Sequence, residues 1–380
     1  MHAATPRAPL ARAASMTRAT PNASSRAALT RMTHHASSSR TARVVTRAST
    51  APAGSALDAL QAFSNVVLDA KKSVLDDARS GLDLGPKAGV VSASVLATAS
   101  RAGGRDAGAL EGAMVYDKCD IVSVEPVKYE CVIDKALVNL AAMWAERVEG
   151  RVAVELFPTS MADDTDALLV KARHYATMAR DLKIVPEKLL FKIPGTFAGI
   201  EAVKTLEAEG ISCHVSDVYC AEQARAAIDA NATVVQLYYS RVNAWYKANP
   251  GKTTSADPGY ELARDALAYA RARKAKTKIM VASLHNKEAV LRVLGVDYVL
   301  VSQRIIDEMA QAPASDVGET IISDAPSAST APSALSKKAF EDALANSPAK
   351  SELAIARRRN AAADGDLMNY IKEKTVGLNV

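Results

Sequence analysis

After Gly150 the chain settles into a strict alternation of short apolar runs and amphipathic stretches, and no other feature restricts its fold as much. The apolar runs predict strands over residues 151–157, 188–193, 211–218, 233–239, 278–283 and 297–302. Between them, apolar residues at helical spacing predict helices over residues 165–182, 197–209, 221–230, 242–248, 259–275 and 287–294. Strict alternation of this kind argues for a parallel sheet covered by helices. Residues 89–96 add a further strand and turn, while Val66-Val67-Leu68 reads either as part of a helix running to Arg79 or as a short strand ending at Asp69. With both, the count reaches the eight of a closed ring, so the fold class is α/β, a (β/α)8 TIM-type barrel over residues 56–310. A doubly wound open sheet would usually show a glycine fingerprint after an early strand. Neither G-x-G-x-x-G nor G-x-x-x-x-G-K-[ST] occurs, which also weighs against nucleotide binding.

Charge is distributed unevenly. Residues 1–48 hold eight arginines, no lysine and no acid; removing those eight charges from the net +5 leaves the remainder at −3. The folded part is therefore mildly acidic, and neither a nucleic-acid nor a membrane-surface partner is expected. An acid-free leader rich in Ala, Ser, Thr and Arg has the composition of an organellar transit peptide, disordered, for a chloroplast first and a mitochondrion second. No apolar run is long enough to span a bilayer. Beyond a helix over residues 304–310, a Pro/Ala/Ser-rich linker (324–333) leads to C-terminal helices over residues 334–374 that pack on the barrel. The basic run Arg357-Arg358-Arg359 reads as a solvated helix face, and the expected assembly is a monomer or homodimer. Cys119, Cys131, Cys213 and Cys220 show no C-x-x-C spacing and read as reduced thiols, and no metal site is expected.

Within the second predicted strand, Leu189-Leu190-Phe191-Lys192-Ile193-Pro194-Gly195-Thr196, a lysine interrupts an apolar run just before a turn into a helix capped by Thr196. That is the C-terminal end of a parallel strand, where barrel enzymes carry their chemistry. Such a lysine either snorkels to the rim or acts as an amine nucleophile, its pKa lowered by desolvation. Strand parity favours the second reading. If Lys192 faces inward, so do Glu155, Ser212, His214, Ser216, Gln236 and Tyr238, leaving apolar sets such as Val152, Val154 and Leu156 for the helix side. An amine, a carboxyl group, hydroxyls and an amide converging at strand ends suit addition to a carbonyl, loss of water and formation of an iminium.

These stretches also resemble the transaldolase family. Gly150-Arg151-Val152-Ala153-Val154-Glu155 is similar to its G-R-[VI]-S-T-E strand, and the Lys192 stretch to its lysine motif. Arg241-Val242-Asn243-Ala244-Trp245-Tyr246-Lys247 resembles R-[IV]-x-D-W-Y-K, and Asp257-Pro258-Gly259 and Val281-Ala282-Ser283 have counterparts. The resemblance implies transfer of a dihydroxyacetone unit between sugar phosphates in the pentose phosphate pathway: sedoheptulose 7-phosphate and glyceraldehyde 3-phosphate give erythrose 4-phosphate and fructose 6-phosphate, with no cofactor. Lys192 would form the Schiff base and Glu155 would move protons through a water, with Ser216 in place of the family threonine. Arg241 would hold the phosphate and Ser283 would share its pocket. For the first-strand acid/base aspartate the best candidate is Asp69, provided that Val66-Val67-Leu68 is a strand. Departures are Ala93 for a substrate-binding asparagine, Gln236 for a serine, His214 for an asparagine and His285 for a second phosphate arginine. They leave as alternative a catalytically impaired barrel that binds sugar phosphates or regulates.

Overall fold

Residues 54–68, 87–316, 318–321 and 335–378 are described by the computed structural model. The expected transit segment, Asp69 and the expected linker lie outside them. Ser55 starts the first helix, α1 (Ala56–Phe63), with a capping box in which its hydroxyl accepts from Asp58 N and its amide donates to the Asp58 carboxylate. Such reciprocal capping satisfies amides that a helix start leaves open. The helix stops at Ser64 and β1 (Asn65–Leu68) follows, so Val66-Val67-Leu68 is strand.

From there the chain runs β2 (Gly89–Val91), α2 (Ala93–Ala102), α3 (Gly108–Met114), α4 (Asp117–Asp120), α5 (Glu125–Ala145), β3 (Val152–Glu155) and α6 (Thr165–Asp181). It continues β4 (Leu189–Pro194), α7 (Phe197–Ala208), β5 (Cys213–Val218), α8 (Ala221–Asp229), β6 (Val234–Tyr238), α9 (Tyr239–Ala248) and α10 (Pro258–Ala272). The barrel portion ends with β7 (Lys278–Ala282), α11 (Lys287–Arg292), β8 (Tyr298–Val301) and α12 (Gln303–Gln311). All eight strands pair in parallel, in the order β1-β8-β7-β6-β5-β4-β3-β2. From β2 on, each neighbours its successor in the chain and β8 returns to β1, which makes a nearly closed (β/α)8 barrel; among the described residues the ladder missing is the one between β1 and β2.

Local sequence explains the turn that carries Lys192. Thr196 caps α7 by accepting from Gly199 N (3.0 Å) while its hydroxyl donates to Ala162 O (2.6 Å). A Cβ on Gly199 would lie 2.1 Å from Pro194 O, so only glycine lets the helix start this close to the strand. At the other end Gly210 takes φ 79°, the left-handed residue expected past the helix.

Packing divides at the sheet. The larger apolar cluster lies between strands and helices and includes Val152, Val154, Phe191, Ile193, Val215 and Val235; the smaller, inside the barrel, is Val67, Ala153, Leu190, Val234 and Met280. Each fully buried aliphatic side chain contributes about 1.5–3 kcal/mol, so most of the stability resides outside the ring.

Two helices complete the fold, α13 (Lys337–Ala345) and α14 (Ala349–Leu378). Polar ties hold α14 beside the C-terminal strand ends. Asp364 accepts from Thr159 N (2.7 Å) and Oγ1 (2.6 Å), Arg357 pairs with Asp163 (2.7 Å), and Arg101 makes a two-pronged pair with Asp366 (2.7 and 2.8 Å). The reading of four reduced thiols is corrected: Cys119 and Cys131 are joined by a disulfide that ties α4 to α5, and Cys213 and Cys220 are free and buried. A separation of twelve residues says nothing by itself about pairing; the helical turn that returns Cys119 to α5 decides it.

Candidate active site

Parallel register builds the site from neighbouring strands. Glu155 on β3 is level with Lys192 on β4, and Lys192 is level with His214 on β5. Lys192 Nζ donates to Glu155 Oε1 at 2.7 Å, with 12% of the lysine side chain and 15% of the glutamate exposed. Two openings meet at this lysine. One is a void of about 30 Å³ bordered by Glu155, Lys192, Thr159, Ser216 and Asp217, large enough for a single water. The other is a cleft of about 1040 Å³ lined by Lys192, Ser92, Ser94, Gln236, Tyr238, Arg241, Ser283, His285 and Arg359.

Among the residues singled out from sequence, Glu155, Lys192 and Ser216 thus share the small void, and Gln236, Tyr238, Arg241, Ser283 and His285 share the cleft with the lysine. Asp69 follows the last residue of β1 but lies outside the described residues. Arg241 stacks over the Tyr238 ring (5.3 Å to its centroid) and makes a long ion pair with Glu352 of α14 (3.6 Å). Its guanidinium therefore reaches the cleft already oriented. Ser283, at φ 59°, sits 3.4 Å from His285 Nε2. Ala93 is buried at the start of α2, but the hydroxyls of Ser92 and Ser94 on either side of it line the cleft.

Asp217 was missed. Alternation along β5 assigns it to the helix side, yet the strand shifts register between Val215 and Val218 and Asp217 takes φ 58°. That irregularity brings two consecutive residues, Ser216 and Asp217, to the same void. Asp217 is 4% exposed; it accepts from Tyr219 Oη at 3.1 Å and lies 3.3 Å from Ser216 Oγ. An aspartate followed by an apolar residue and tyrosine gives no period-based signal; the only cue is an acid breaking the alternation of the strand.

Electrostatics correct a second expectation. Burial does push the Lys192 ammonium down, but the charges of Glu155 and Asp217 and the hydrogen bond to Glu155 outweigh it, and the net shift is upward, with Arg359 opposing. Lys192 therefore rests as an ammonium in an ion pair, not as the free amine that desolvation alone predicts. His214 behaves oppositely: burial, reinforced by the Lys192 charge, drops it to about 3, so its imidazole is neutral. Tyr238 is held well above its usual value, by burial first and by the Asp217 charge second.

The basic run on α14 is exposed, as expected of a solvated helix face, and two of its arginines also meet other parts of the chain. Arg357 pairs across to Asp163, and Arg359 lines the cleft, its Nε donating to Asn360 Oδ1 at 3.2 Å. The face is solvated, and what local pattern does not show is that it runs along the barrel mouth, so that one exposed arginine borders the cleft.

Comparison with known proteins points the same way. A transaldolase from Rhizobium etli (strain CIAT 652) is 31% identical over 207 residues, 54% of this chain and 64% of that protein. A probable transaldolase from Dictyostelium discoideum is 32% identical over 194 residues (50% and 60%), and a transaldolase from Chlamydia pneumoniae 32% over 184 residues (48% and 56%). The matched stretch spans less than two thirds of the length of these relatives. The family model for Transaldolase/Fructose-6-phosphate aldolase matches residues 107–357, which takes in β3 to β8, the Lys192–Glu155 pair and Arg241. With well over half the chain matched, it belongs to the transaldolase/fructose-6-phosphate aldolase family.

Proposed function

We propose that this protein transfers a dihydroxyacetone unit from a ketose phosphate to an aldose phosphate through a Schiff base on Lys192. The observation that carries this reading is the buried Lys192–Glu155 pair beside a water-sized void, at the mouth of a cleft that holds Arg241 and Arg359. The ion pair contains the proton that the chemistry needs. When a ketose carbonyl displaces water beside it, Glu155 takes the lysine's proton, which frees the amine and leaves a carboxylic acid. The amine adds to the carbonyl carbon. Glu155, through a water held with Ser216, returns that proton to the carbinolamine oxygen, which leaves as water and yields the iminium.

The iminium accepts the electron pair released when the neighbouring carbon–carbon bond breaks, once a base removes the proton of the hydroxyl on the departing carbon. Asp69 is the residue proposed as that base. An aldose then enters, the bond-forming step runs in reverse, and hydrolysis frees Lys192. Arg241 and Arg359 hold the substrate phosphate, with Ser283 and His285 beside it. Ser92 and Ser94 offer hydroxyls to the sugar next to Ala93.

A coupled assay separates transfer from simple cleavage. With fructose 6-phosphate and erythrose 4-phosphate together, glyceraldehyde 3-phosphate is expected; without erythrose 4-phosphate its release should nearly stop. Equal release in both mixtures would instead indicate cleavage to free dihydroxyacetone. No turnover together with tight binding of fructose 6-phosphate would indicate a sugar-phosphate binding protein.

A further inference from the structure

The pole of the barrel opposite the Lys192 mouth is not filled. A barrel of this type ordinarily packs its interior with layers of branched side chains. Here the inner ring of Val67, Ala153, Leu190, Val234 and Met280 leaves a cavity of about 920 Å³ that opens among the turns entering the strands.

Its wall is polar in the wrong places for packing. His214 is 1% exposed and its imidazole has only a weak contact with Gln236; Arg151 Nη1 and Thr277 Oγ1 are buried and unpaired among the described residues. All three residues line this cavity. A buried polar group left unpaired or poorly paired is destabilising, and such groups gathered around one space point to something that pairs with them.

Charge at the cavity says what that is. Its two carboxylates are occupied: Glu207 accepts from Cys213 N (2.7 Å) and Thr233 N (2.7 Å), and Asp229 pairs with Arg273 (2.9 Å) and accepts from Tyr269 (2.7 Å). Arg151, Lys204, Lys274 and Lys276 line the same cavity and make no ion pair among the described residues. Three uncommitted lysines and Arg151, whose charge also acts on Glu207, suit a dianion better than a single carboxylate, and the apolar inner ring suits an uncharged body behind it.

We propose that this cavity is a second site, separate from the Lys192 cleft, for a small phosphate monoester. The phosphate lies at Arg151, Lys274 and Lys276, and the organic body enters the barrel against His214, Val234 and Met280. His214 is level with Lys192 in the strand register, so the occupant adjoins the floor of the catalytic mouth. The inference does not depend on the reaction proposed above.

Calorimetric titration of the full chain tests it, with adenosine monophosphate, glucose 1-phosphate and inorganic phosphate as probes. The proteins are wild type, Arg241→Ala, which removes an arginine of the other cleft, and Lys274→Glu/Lys276→Glu, two exposed positions whose exchange spares the core. At least one ester should bind wild type and Arg241→Ala alike, and at least about tenfold more weakly to the lysine double variant. The same ester should shift the His214 imidazole nitrogen resonances in both of the first two proteins. No binding of any probe at millimolar concentration overturns the proposal, as does weakening by Arg241→Ala equal to or greater than that of the double variant. Inorganic phosphate binding as tightly as both esters overturns the placement of an organic body inside the barrel.

Discussion

Replacing Glu155 by glutamine keeps the side chain's size and its ability to accept a hydrogen bond but removes the charge 2.7 Å from Lys192. Two costs compete. Keeping the lysine charged without its partner costs about 3–5 kcal/mol, as when a buried pair is half removed. Releasing its proton costs about 1.4 kcal/mol for each unit between the ordinary lysine value, 10.5, and the solution pH, or about 4 kcal/mol at pH 7.5. The routes are close, so a loss of about 3–4 kcal/mol is expected near neutrality. They differ in pH dependence. In the native protein Lys192 is raised above 10.5, so the pair's contribution is complete below pH 10.5 and is lost only as pH climbs through the higher folded value. In the variant burial acts without Glu155, the folded value drops below 10.5, and the deficit should shrink as pH rises towards it. Urea unfolding followed by circular dichroism at pH 7 and pH 9.5 measures this. If Glu155 also carries the proton, kcat for transfer should fall about 10²–10⁴-fold, roughly 3–5 kcal/mol of barrier, with little change in KM. A kcat within about threefold of wild type, together with a stability deficit independent of pH, would refute both the charge argument and the proton relay.

Asp217→Asn removes the second negative charge near Lys192 while asparagine tolerates the left-handed backbone at that position. Because Asp217 raises the Lys192 value, its loss should move the acid limb of the kcat/KM pH profile to lower pH; an unmoved limb would mean that Asp217 acts only on Tyr219 and Ser216. Arg359→Ala should raise KM for fructose 6-phosphate about tenfold with kcat nearly unchanged, and Arg241→Ala more than that, since the Arg241 side chain is only 28% exposed and held by Tyr238 and Glu352. Steady-state kinetics checks both, and an unchanged KM in Arg359→Ala removes it from the phosphate site. Cys119→Ser should destabilise the protein by about 3 kcal/mol, the loop-closure contribution for a separation of twelve residues. Reductant should lower the melting temperature of wild type but not of the variant.

Legibility followed the physics of each element. Strands β3 to β8 were readable to within about two residues because both faces of a barrel strand are buried, and apolar runs bounded by turns survive in sequence. Parity then placed Glu155, Lys192, Ser216, Gln236 and Tyr238 on one side, which needs only a regular pleat. Where the pleat breaks, at Asp217, the rule failed. β1 was ambiguous because four residues after a helix carry too short a period to classify. The charge state of Lys192 was misjudged because desolvation can be read from one strand, whereas Glu155 and Asp217 come from its neighbour and from a bulge. The place of Arg359 depends on how a distant helix docks, and the Cys119–Cys131 bond on how the short turn between α4 and α5 folds back, information that periodicity does not contain.

The account rests on Lys192 forming an imine with a ketose phosphate. Borohydride reduction in the presence of fructose 6-phosphate, followed by proteolysis and mass analysis, tests that directly. A reduced three-carbon or hexose-phosphate adduct is predicted on the peptide carrying Lys192, absent from Lys192→Arg and absent without sugar. No adduct on that peptide, or an equal adduct on other lysines and in Lys192→Arg, would contradict it.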